Sequence, residues 1–131
     1  NGGQITETLV KASVTGSGAG GIAGENGSGS HIVSNSAEGI FRSIVIAEFP
    51  EEEGGSIVSL NAERGTINDV YWDSSIGSVG VMYNNGDFDY MFKQGLPTSD
   101  MQGSMSQELL DPPLDFDRVW KANPNDYPSL R

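Results

Sequence analysis

A short phrase occurs twice in the first half of the chain, and its constant offset constrains the fold more than any other feature of the sequence. The two copies are Gly21-Ile22-Ala23-Gly24-Glu25-Asn26 and Ser56-Ile57-Val58-Ser59-Leu60-Asn61. The matching pairs are all 35 residues apart: Ile22 and Ile57, Asn26 and Asn61, and Ile32 and Ile67. An offset that persists without gaps is typical of stacked structural repeats, in which each unit buries its apolar face against the next.

Residues 4–15 have the alternating apolar and polar pattern of a half-buried strand. The apolar parity changes between Leu9 and Val10, which predicts a corner in the backbone at that point. Glycine-rich segments follow at 16–21 and 27–29 and predict tight turns, because glycine adopts backbone conformations that other residues avoid. We therefore expect short strands joined by glycine turns.

Three isoleucines mark equivalent points of successive repeats and predict an internal ladder of side chains: Ile5, Ile32 and Ile67. Their two intervals are 27 and 35 residues, and the acidic segment 49–54 accounts for the longer interval as a surface loop. Ile22 and Ile57 predict a second ladder of the same kind.

The segment from Ile40 to Phe49 is apolar on both parities, unlike the other predicted strands. A strand with two apolar faces is covered on both sides. Residues 116–131 are rich in large side chains. We therefore expect the C-terminal segment to pack on the outside of this strand.

The sequence after residue 75 differs from the repeats. Asn84-Asn85-Gly86-Asp87 lies between two apolar runs and predicts the turn of a hairpin within residues 76–94. Leu96-Pro97-Thr98-Ser99 predicts the start of a helix, and residues 106–110 predict a further short helical turn. We divide the chain into repeats at residues 1–75 and a capping segment at residues 76–131.

The 131-residue chain has a net charge of −11, with seven basic residues against eighteen acidic ones. Such a chain repels phosphate groups, which argues against nucleic acid and anionic membrane surfaces as partners. No apolar run reaches the ~18 residues of a membrane span, so we expect no membrane insertion. The absence of cysteine excludes disulfides, thiolate metal sites and thiol nucleophiles.

Further phrases follow the two repeats in a fixed order. The repeats continue with Ile32-Val33-Ser34-Asn35-Ser36 and Ile67-Asn68-Asp69-Val70-Tyr71-Trp72-Asp73. The later phrases are Gly95-Leu96-Pro97-Thr98-Ser99-Asp100-Met101, Phe116-Asp117-Arg118-Val119-Trp120 and Asp126-Tyr127-Pro128-Ser129-Leu130-Arg131. The series resembles the end of a GLUG repeat array with its capping module. GLUG repeats occur in bacterial surface proteins and in the N-terminal region of immunoglobulin-A-cleaving metallopeptidases.

The resemblance covers nearly the whole chain and implies an all-β fold. The expected architecture is a right-handed parallel β-helix, a solenoid of about three coils, with a small mixed α/β cap at its C-terminal end. The structural core then consists of the ladder isoleucines together with Trp72, Trp120 and Tyr127, of which the two tryptophans lie at the interface with the cap. No catalytic residue is known for the repeat itself, so the resemblance assigns none.

Two groups of residues have side chains that could act in catalysis, and both have a simpler structural explanation. His31 is the single histidine, and a general base needs an orienting partner that the sequence does not place. Asp115 and Asp117 flank Phe116, and alternation puts both carboxylates on the solvent side of an extended segment. We expect no enzymatic activity and no cofactor.

Oxygen ligands suitable for Ca²⁺ occur at Asp87 and Asp89, next to Asn84 and Asn85. The sequence contains no twelve-residue EF-hand loop, and a turn explains this segment equally well. We keep these two aspartates as the only candidate metal ligands.

We expect a non-enzymatic structural or adhesion module of a bacterial surface protein, exported to the cell surface or the medium. Residues 4–15 begin the first coil without a covering segment, so upstream repeats or another copy of the chain are expected to pair there, which includes self-assembly. The alternative is a module of a larger secreted enzyme, such as a peptidase, that binds a glycan or a host surface protein. Exposed aromatic side chains in a groove favour binding, whereas buried Trp72 and Trp120 favour a spacer.

Overall fold

The computed structural model describes residues 3–16, 18–27, 38–49, 54–77, 79–88 and 94–131. Within these ranges the chain is mostly strand, with one α-helix, α1 (Gly103–Leu110), and one 3-10 turn (Thr98–Asp100). The strands are β1 (Gln4–Thr6), β2 (Leu9–Ser13), β3 (Ala19–Gly20), β4 (Ala23–Asn26), β5 (Glu38–Glu48), β6 (Gly54–Gly55), β7 (Val58–Asn61), β8 (Gly65–Asp73), β9 (Val81–Asn84), β10 (Asp87–Phe88), β11 (Gly95–Leu96), β12 (Trp120–Asn123) and β13 (Asp126–Leu130). No helix in the described ranges is long and apolar enough to cross a membrane.

The strands form four separate sheets. The largest has six parallel strands in the order β1-β5-β8-β10, with β2 also paired to β5 and β11 to β8. A second parallel sheet has the order β4-β7-β9, and a third contains only β3 and β6. The fourth is the antiparallel hairpin of β12 and β13.

The expected right-handed parallel β-helix of about three coils is wrong. The described strands lie in several small sheets, and none of these closes on itself or continues as a solenoid. A regular solenoid repeats the same strands at a constant offset in every coil. Among the described residues, the two-stranded sheet gains no third strand, and the offset shortens from one strand pair of the six-stranded sheet to the next.

The register of the sheets confirms the 35-residue offset between the first pair of strands in each parallel sheet, but not between the second pair. Ile5 lies beside Ile40, and Ala23 lies beside Val58, each pair 35 residues apart. Ile40 then lies beside Ile67, only 27 residues later. The first ladder is therefore Ile5, Ile40 and Ile67, and the order of the predicted 27- and 35-residue intervals is reversed.

The member that we predicted in this ladder, Ile32, lies outside the described residues. The second ladder is closer to expectation, because the amide nitrogen of Ile22 donates to the carbonyl oxygen of Ile57 at 2.9 Å.

The predicted corner is present, but it lies before Leu9. Glu7 separates β1 from β2 and has a φ of 51°, in the left-handed region that non-glycine residues rarely adopt. Arg42 in β5 and Asp69 in β8 share this conformation, with φ of 44° and 56°. The three residues occupy neighbouring register positions, so the six-stranded sheet bends along one line.

Two apolar clusters lie on opposite faces of the six-stranded sheet. The inner cluster contains Ile40, Val45, Ala47, Ile57, Val58, Ile67, Val70 and Val81. The outer cluster joins Ile44, Ile46 and Tyr71 of the sheet to Met101, Leu110, Leu114, Phe116 and Trp120. The C-terminal segment therefore covers the outside of β5, as its two apolar faces predicted, and it packs on a sheet face.

The predicted hairpin within residues 76–94 is wrong. β9 and β10 flank the Asn-Gly turn but do not pair with each other, because β9 is parallel to β7 and β10 is parallel to β8. Both strands extend the sheets although they fall inside the segment that we assigned to the cap. The two predicted helical segments correspond to the 3-10 turn and to α1.

Candidate functional site

Among the described strands, those between Gln4 and Asn26 are the outermost strands of three sheets. β1 and β2 form one side of the six-stranded sheet, β3 one side of the two-stranded sheet, and β4 one side of the three-stranded sheet. We call these strands, from Gln4 to Asn26, the N-terminal edge. An edge strand presents main-chain N–H and C=O groups to any further strand that approaches it.

The pairing of β2 shows which of these groups face outward. The Thr8 carbonyl accepts the Ile44 amide at 2.9 Å, and the Val14 amide donates to the Glu48 carbonyl at 2.9 Å. In a parallel pair, alternate residues bond to the same neighbour, so the even-numbered residues of β2 face β5. The main-chain groups of the odd-numbered residues therefore face away from the sheet; these residues are Leu9, Lys11 and Ser13.

The charged side chains near β2 are engaged elsewhere. Natural edges are commonly protected by proline or by a lysine that points along the edge. The ammonium group of Lys11 instead contacts the Asp126 carboxylate at 3.2 Å and lies 5.2 Å from the centre of the Tyr127 ring. The guanidinium of Arg42 contacts the Glu7 carboxylate at 3.4 Å. Both cations are therefore paired with carboxylates of the same chain.

The contact with Lys11 belongs to the tip of the β12–β13 hairpin. The pKa of Asp126 is lowered, first by the hydrogen bond from the Tyr127 amide and then by the hydrogen bond from Lys11. The exposure of this ion pair makes it a weak contributor to stability, since solvent screens such pairs. Its effect is to hold the hairpin tip over the outer face of β2.

A buried carboxylate joins the hairpin to the six-stranded sheet. Asp73, at the end of β8, is almost fully buried, and its Oδ2 atom accepts hydrogen bonds from the Thr98 hydroxyl at 2.6 Å and the Tyr127 hydroxyl at 2.5 Å. Its Oδ1 atom accepts the Ser75 amide at 2.8 Å. Burial and the bond to Asp73 raise the pKa of Tyr127 to about 12. We call this arrangement the Asp73 junction.

The indole of Trp72 is partly buried and packs closely against two glycines. A Cβ atom added at Gly95 would lie 2.6 Å from the ring, and one added at Gly80 would lie 2.9 Å from it. The backbone thus approaches the ring at a distance that no other residue type permits. Trp72 joins the inner cluster, whereas Trp120 is fully buried in the outer one.

Three asparagines form a ladder across the three-stranded sheet. The Asn26 amide donates to the side-chain oxygen of Asn61 at 2.9 Å, and the Asn61 amide donates to that of Asn84 at 2.9 Å. Asn26 and Asn61 are fully buried, whereas Asn84 is exposed. The 35-residue offset predicted the equivalence of the first two residues, but Asn84 was assigned to a hairpin turn.

The structure places the predicted core residues as follows. Ile57, Ile67 and Trp120 are buried, with exposed fractions of 0%, whereas Ile5, Ile22, Trp72 and Tyr127 are partly buried and pack against the two clusters.

The structure describes only some of the candidate catalytic and metal residues. His31 and Asp89 lie outside the described residues, and Asp87 is the first residue of β10. The Asp115 carboxylate accepts the amides of Asp117 and Arg118 at 3.0 and 2.9 Å, so it caps a turn. The described part of the chain contains no group of three or more acidic or histidine side chains that could hold a metal ion.

A shallow depression of about 350 Å³ lies beside the Ser13 end of β2. Its lining residues are Lys11, Ala12, Ser13, Ile46, Glu48 and Ile76. It contains no aromatic side chain, and Tyr83, at 64% exposure, is the single strongly exposed aromatic among the side chains that the structure describes. The described surface therefore lacks the aromatic groove expected of a glycan-binding module.

The Asp73 junction was not predicted from the sequence, although Asp73, Thr98 and Tyr127 lie in three of the phrases that carry the resemblance. A short polar residue after the aromatic pair Tyr71-Trp72 was a visible signal, but nothing in the sequence links it to Thr98 or Tyr127. Comparisons with protein-family models, curated proteins and solved structures find no match to the chain.

Proposed function

We propose that the chain is a non-enzymatic structural or adhesion module of an exported bacterial surface protein, and that it joins its neighbours by strand addition at the N-terminal edge. One observation carries the proposal: among the described strands, those between Gln4 and Asn26 are the outermost of three sheets, and the two cations beside β2 are paired with carboxylates of the same chain. Strand addition uses main-chain hydrogen bonds for affinity and adjacent side chains for specificity.

The buried polar groups support a structural role. A catalytic carboxylate must reach the substrate or its attacking water. Asp73 is instead almost inaccessible and accepts hydrogen bonds from three protein groups. Asp115 caps a turn. Both carboxylates therefore have complete structural explanations.

The assignment to a bacterial surface protein rests on the ordered series of phrases that resembles the end of a GLUG array. The acidic composition suits an exposed module, because a high net charge keeps proteins soluble. The alternative of a glycan- or host-binding accessory module predicts an aromatic groove, and Tyr83 is the single strongly exposed aromatic among the side chains that the structure describes.

Hydrogen exchange tests the proposal within a single strand. At micromolar concentration, the outward amides of Leu9, Lys11 and Ser13 should exchange rapidly, whereas the inward amides of Val10 and Val14 should be protected. At millimolar concentration the outward amides should become protected as well. The inward amides serve as the internal control for unfolding. Outward amides that remain fast at every concentration, while the inward amides remain protected, would overturn strand addition.

A further inference from the structure

We propose that the strand that pairs with β2 is β2 of a second copy of this chain, antiparallel to the first and centred on Lys11. This inference rests on the proposed function and names the partner at the same edge. A two-fold axis through the pair makes the interface self-complementary, and closed two-fold dimers are the commonest form of protein assembly.

The outward groups of β2 are spaced symmetrically about Lys11. Leu9 precedes it by two residues and Ser13 follows it by two, and all three face away from β5. In an antiparallel pair centred on Lys11, Lys11 lies opposite its own counterpart and Leu9 lies opposite Ser13. Each opposed pair then exchanges both of its main-chain hydrogen bonds.

The side chains of β2 fit the same arrangement. Leu9 packs with the outer cluster and Val10 with the inner one, so the odd-numbered side chains lie on the outer face of the sheet. Opposed residues of an antiparallel pair share a face. Leu9 of the second copy therefore lies over Ser13, next to the depression whose lining includes Ile46, Ile76 and Glu48.

The match of the large Leu9 with the small Ser13 comes from the sequence of β2 itself, and the depression beside it is lined by both apolar and polar residues. The half-buried Leu9 gains apolar contact on pairing, and by symmetry the gain occurs twice. A second copy supplies both the pairing strand and the Leu9 side chain that lies over Ser13. For this reason we propose a second copy and not an unrelated strand.

The charges at the axis are compatible with pairing. Two lysines face each other there, and like charges directly opposite are unfavourable. In each copy, however, the Lys11 ammonium group contacts the Asp126 carboxylate at 3.2 Å. The remaining repulsion comes from the net charge of −11 on each copy, which salt screens over a length of about 8 Å at 0.15 M. We therefore place the experiment at about 0.15 M salt.

Cysteine cross-linking tests the register, because the natural sequence contains no cysteine. Opposed residues in such a pair have Cα atoms about 5.5 Å apart, a separation that a disulfide spans. Lys11→Cys should form a disulfide-linked dimer under mild oxidation. Gln4→Cys, on β1 of the same edge and also exposed, is the matched control and should remain largely monomeric.

A second pair of variants measures the role of the outward main chain by sedimentation equilibrium. Ser13→Pro removes one outward N–H group and should raise the dimer Kd by about tenfold or more, a factor equivalent to about 1.4 kcal/mol. Ser13→Ala keeps the N–H group and should leave the Kd within about twofold of the wild-type value.

The outcomes separate the two proposals. Selective cross-linking of Lys11→Cys together with weakening by Ser13→Pro supports the antiparallel dimer. Association that Ser13→Pro weakens, without selective cross-linking at position 11, overturns the antiparallel register and leaves strand addition standing. A wild-type chain that remains monomeric at millimolar concentration, with fast outward amides, overturns both.

Discussion

The hydroxyl of Tyr127 donates a hydrogen bond of 2.5 Å to the buried carboxylate of Asp73, 54 residues earlier in the chain. This bond connects the C-terminal hairpin to the end of β8, in the six-stranded sheet. The Thr98 hydroxyl shares the same oxygen atom, so two later segments converge on one carboxylate. A buried carboxylate needs such donors, because an unsatisfied charge in the interior is strongly destabilising.

Tyr127→Phe should destabilise the protein by about 1–3 kcal/mol, the usual cost of removing one partner of a buried charged group. The ring is retained, so the change isolates the hydroxyl. Denaturant unfolding followed by circular dichroism gives the free energy of unfolding. Tyr83→Phe is the matched control, because Tyr83 is 64% exposed, and it should change this free energy little. Equal stabilities of the two variants would show that the hydrogen bond from Tyr127 to Asp73 contributes nothing to stability.

Stability should fall as the pH rises above the ordinary tyrosine range. Folding raises the pKa of Tyr127 from 10.0 to about 12, chiefly through burial and the hydrogen bond to Asp73. A group whose folded pKa is raised contributes stability that is fully present below its unfolded pKa and is lost as the pH approaches the folded value. Burial also raises the pKa of Tyr71, which acts in the same direction.

The expected window is therefore between about pH 10 and pH 12. The free energy of unfolding of the wild-type protein should decrease across this window, and Tyr127→Phe should show a shallower decrease. Tyr71 remains in both proteins, so the difference between the two slopes reports on Tyr127. Identical slopes for the two proteins would contradict the raised pKa.

The 35-residue offset could be read from the sequence because each repeated isoleucine or asparagine occupies the same environment in adjacent strands. The pairs Ile22–Ile57 and Asn26–Asn61 were placed correctly for this reason. The covering of β5 was predictable as well, because two apolar faces require two partners. The strand partner of Ile5 could not be predicted from residue type, because the predicted partner Ile32 and the observed partner Ile40 are both isoleucines.

The candidate site was harder to predict from the sequence than the strand offset. Asn84-Asn85-Gly86-Asp87 has the chemistry of a hairpin turn, and only the approach of Asn61 shows that Asn84 continues a ladder. Gly86 has a different role, because an added Cβ would lie 2.2 Å from the Ala62 carbonyl oxygen. At Asn84 and Gly86, long-range contacts determine which residue type fits, and local turn propensity does not.

Asn61 is the middle rung of the asparagine ladder, and its replacement should be costly. Asn61→Ala removes the donor to Asn84 and an acceptor of the buried Asn26 amide, which keeps its 3.2 Å bond to the Thr66 carbonyl. The expected loss is about 1–3 kcal/mol in the free energy of unfolding. Chemical denaturation of the wild-type and variant proteins checks this value.

Asn84→Ala is the control for this change, because Asn84 is exposed and water can replace its partner. Its loss should be clearly smaller than that of Asn61→Ala. The opposite order would mean that the ladder is not stabilised by its buried rungs.

The close approach of Gly95 to Trp72 should make Gly95→Ala destabilising. The added Cβ would lie 2.6 Å from the indole ring, so either the ring or β11 must move. Overpacking of this kind costs about 1–3 kcal/mol. Gly95 pairs with Trp72 across β11 and β8, so the displacement should also disturb this end of the sheet.

Denaturant unfolding and tryptophan fluorescence give two independent measurements of this effect. Gly3→Ala is the matched control, because nothing lies within 4 Å of a Cβ added at Gly3. It should leave both the unfolding midpoint and the emission maximum unchanged. Gly95→Ala should lower the midpoint and shift the emission to longer wavelength, since displacement of the partly buried Trp72 ring admits water. The fully buried Trp120 contributes a constant background to the emission. A Gly95→Ala protein with the wild-type midpoint and emission would show that the contact accommodates a Cβ atom without displacing the ring, and that glycine is not required there.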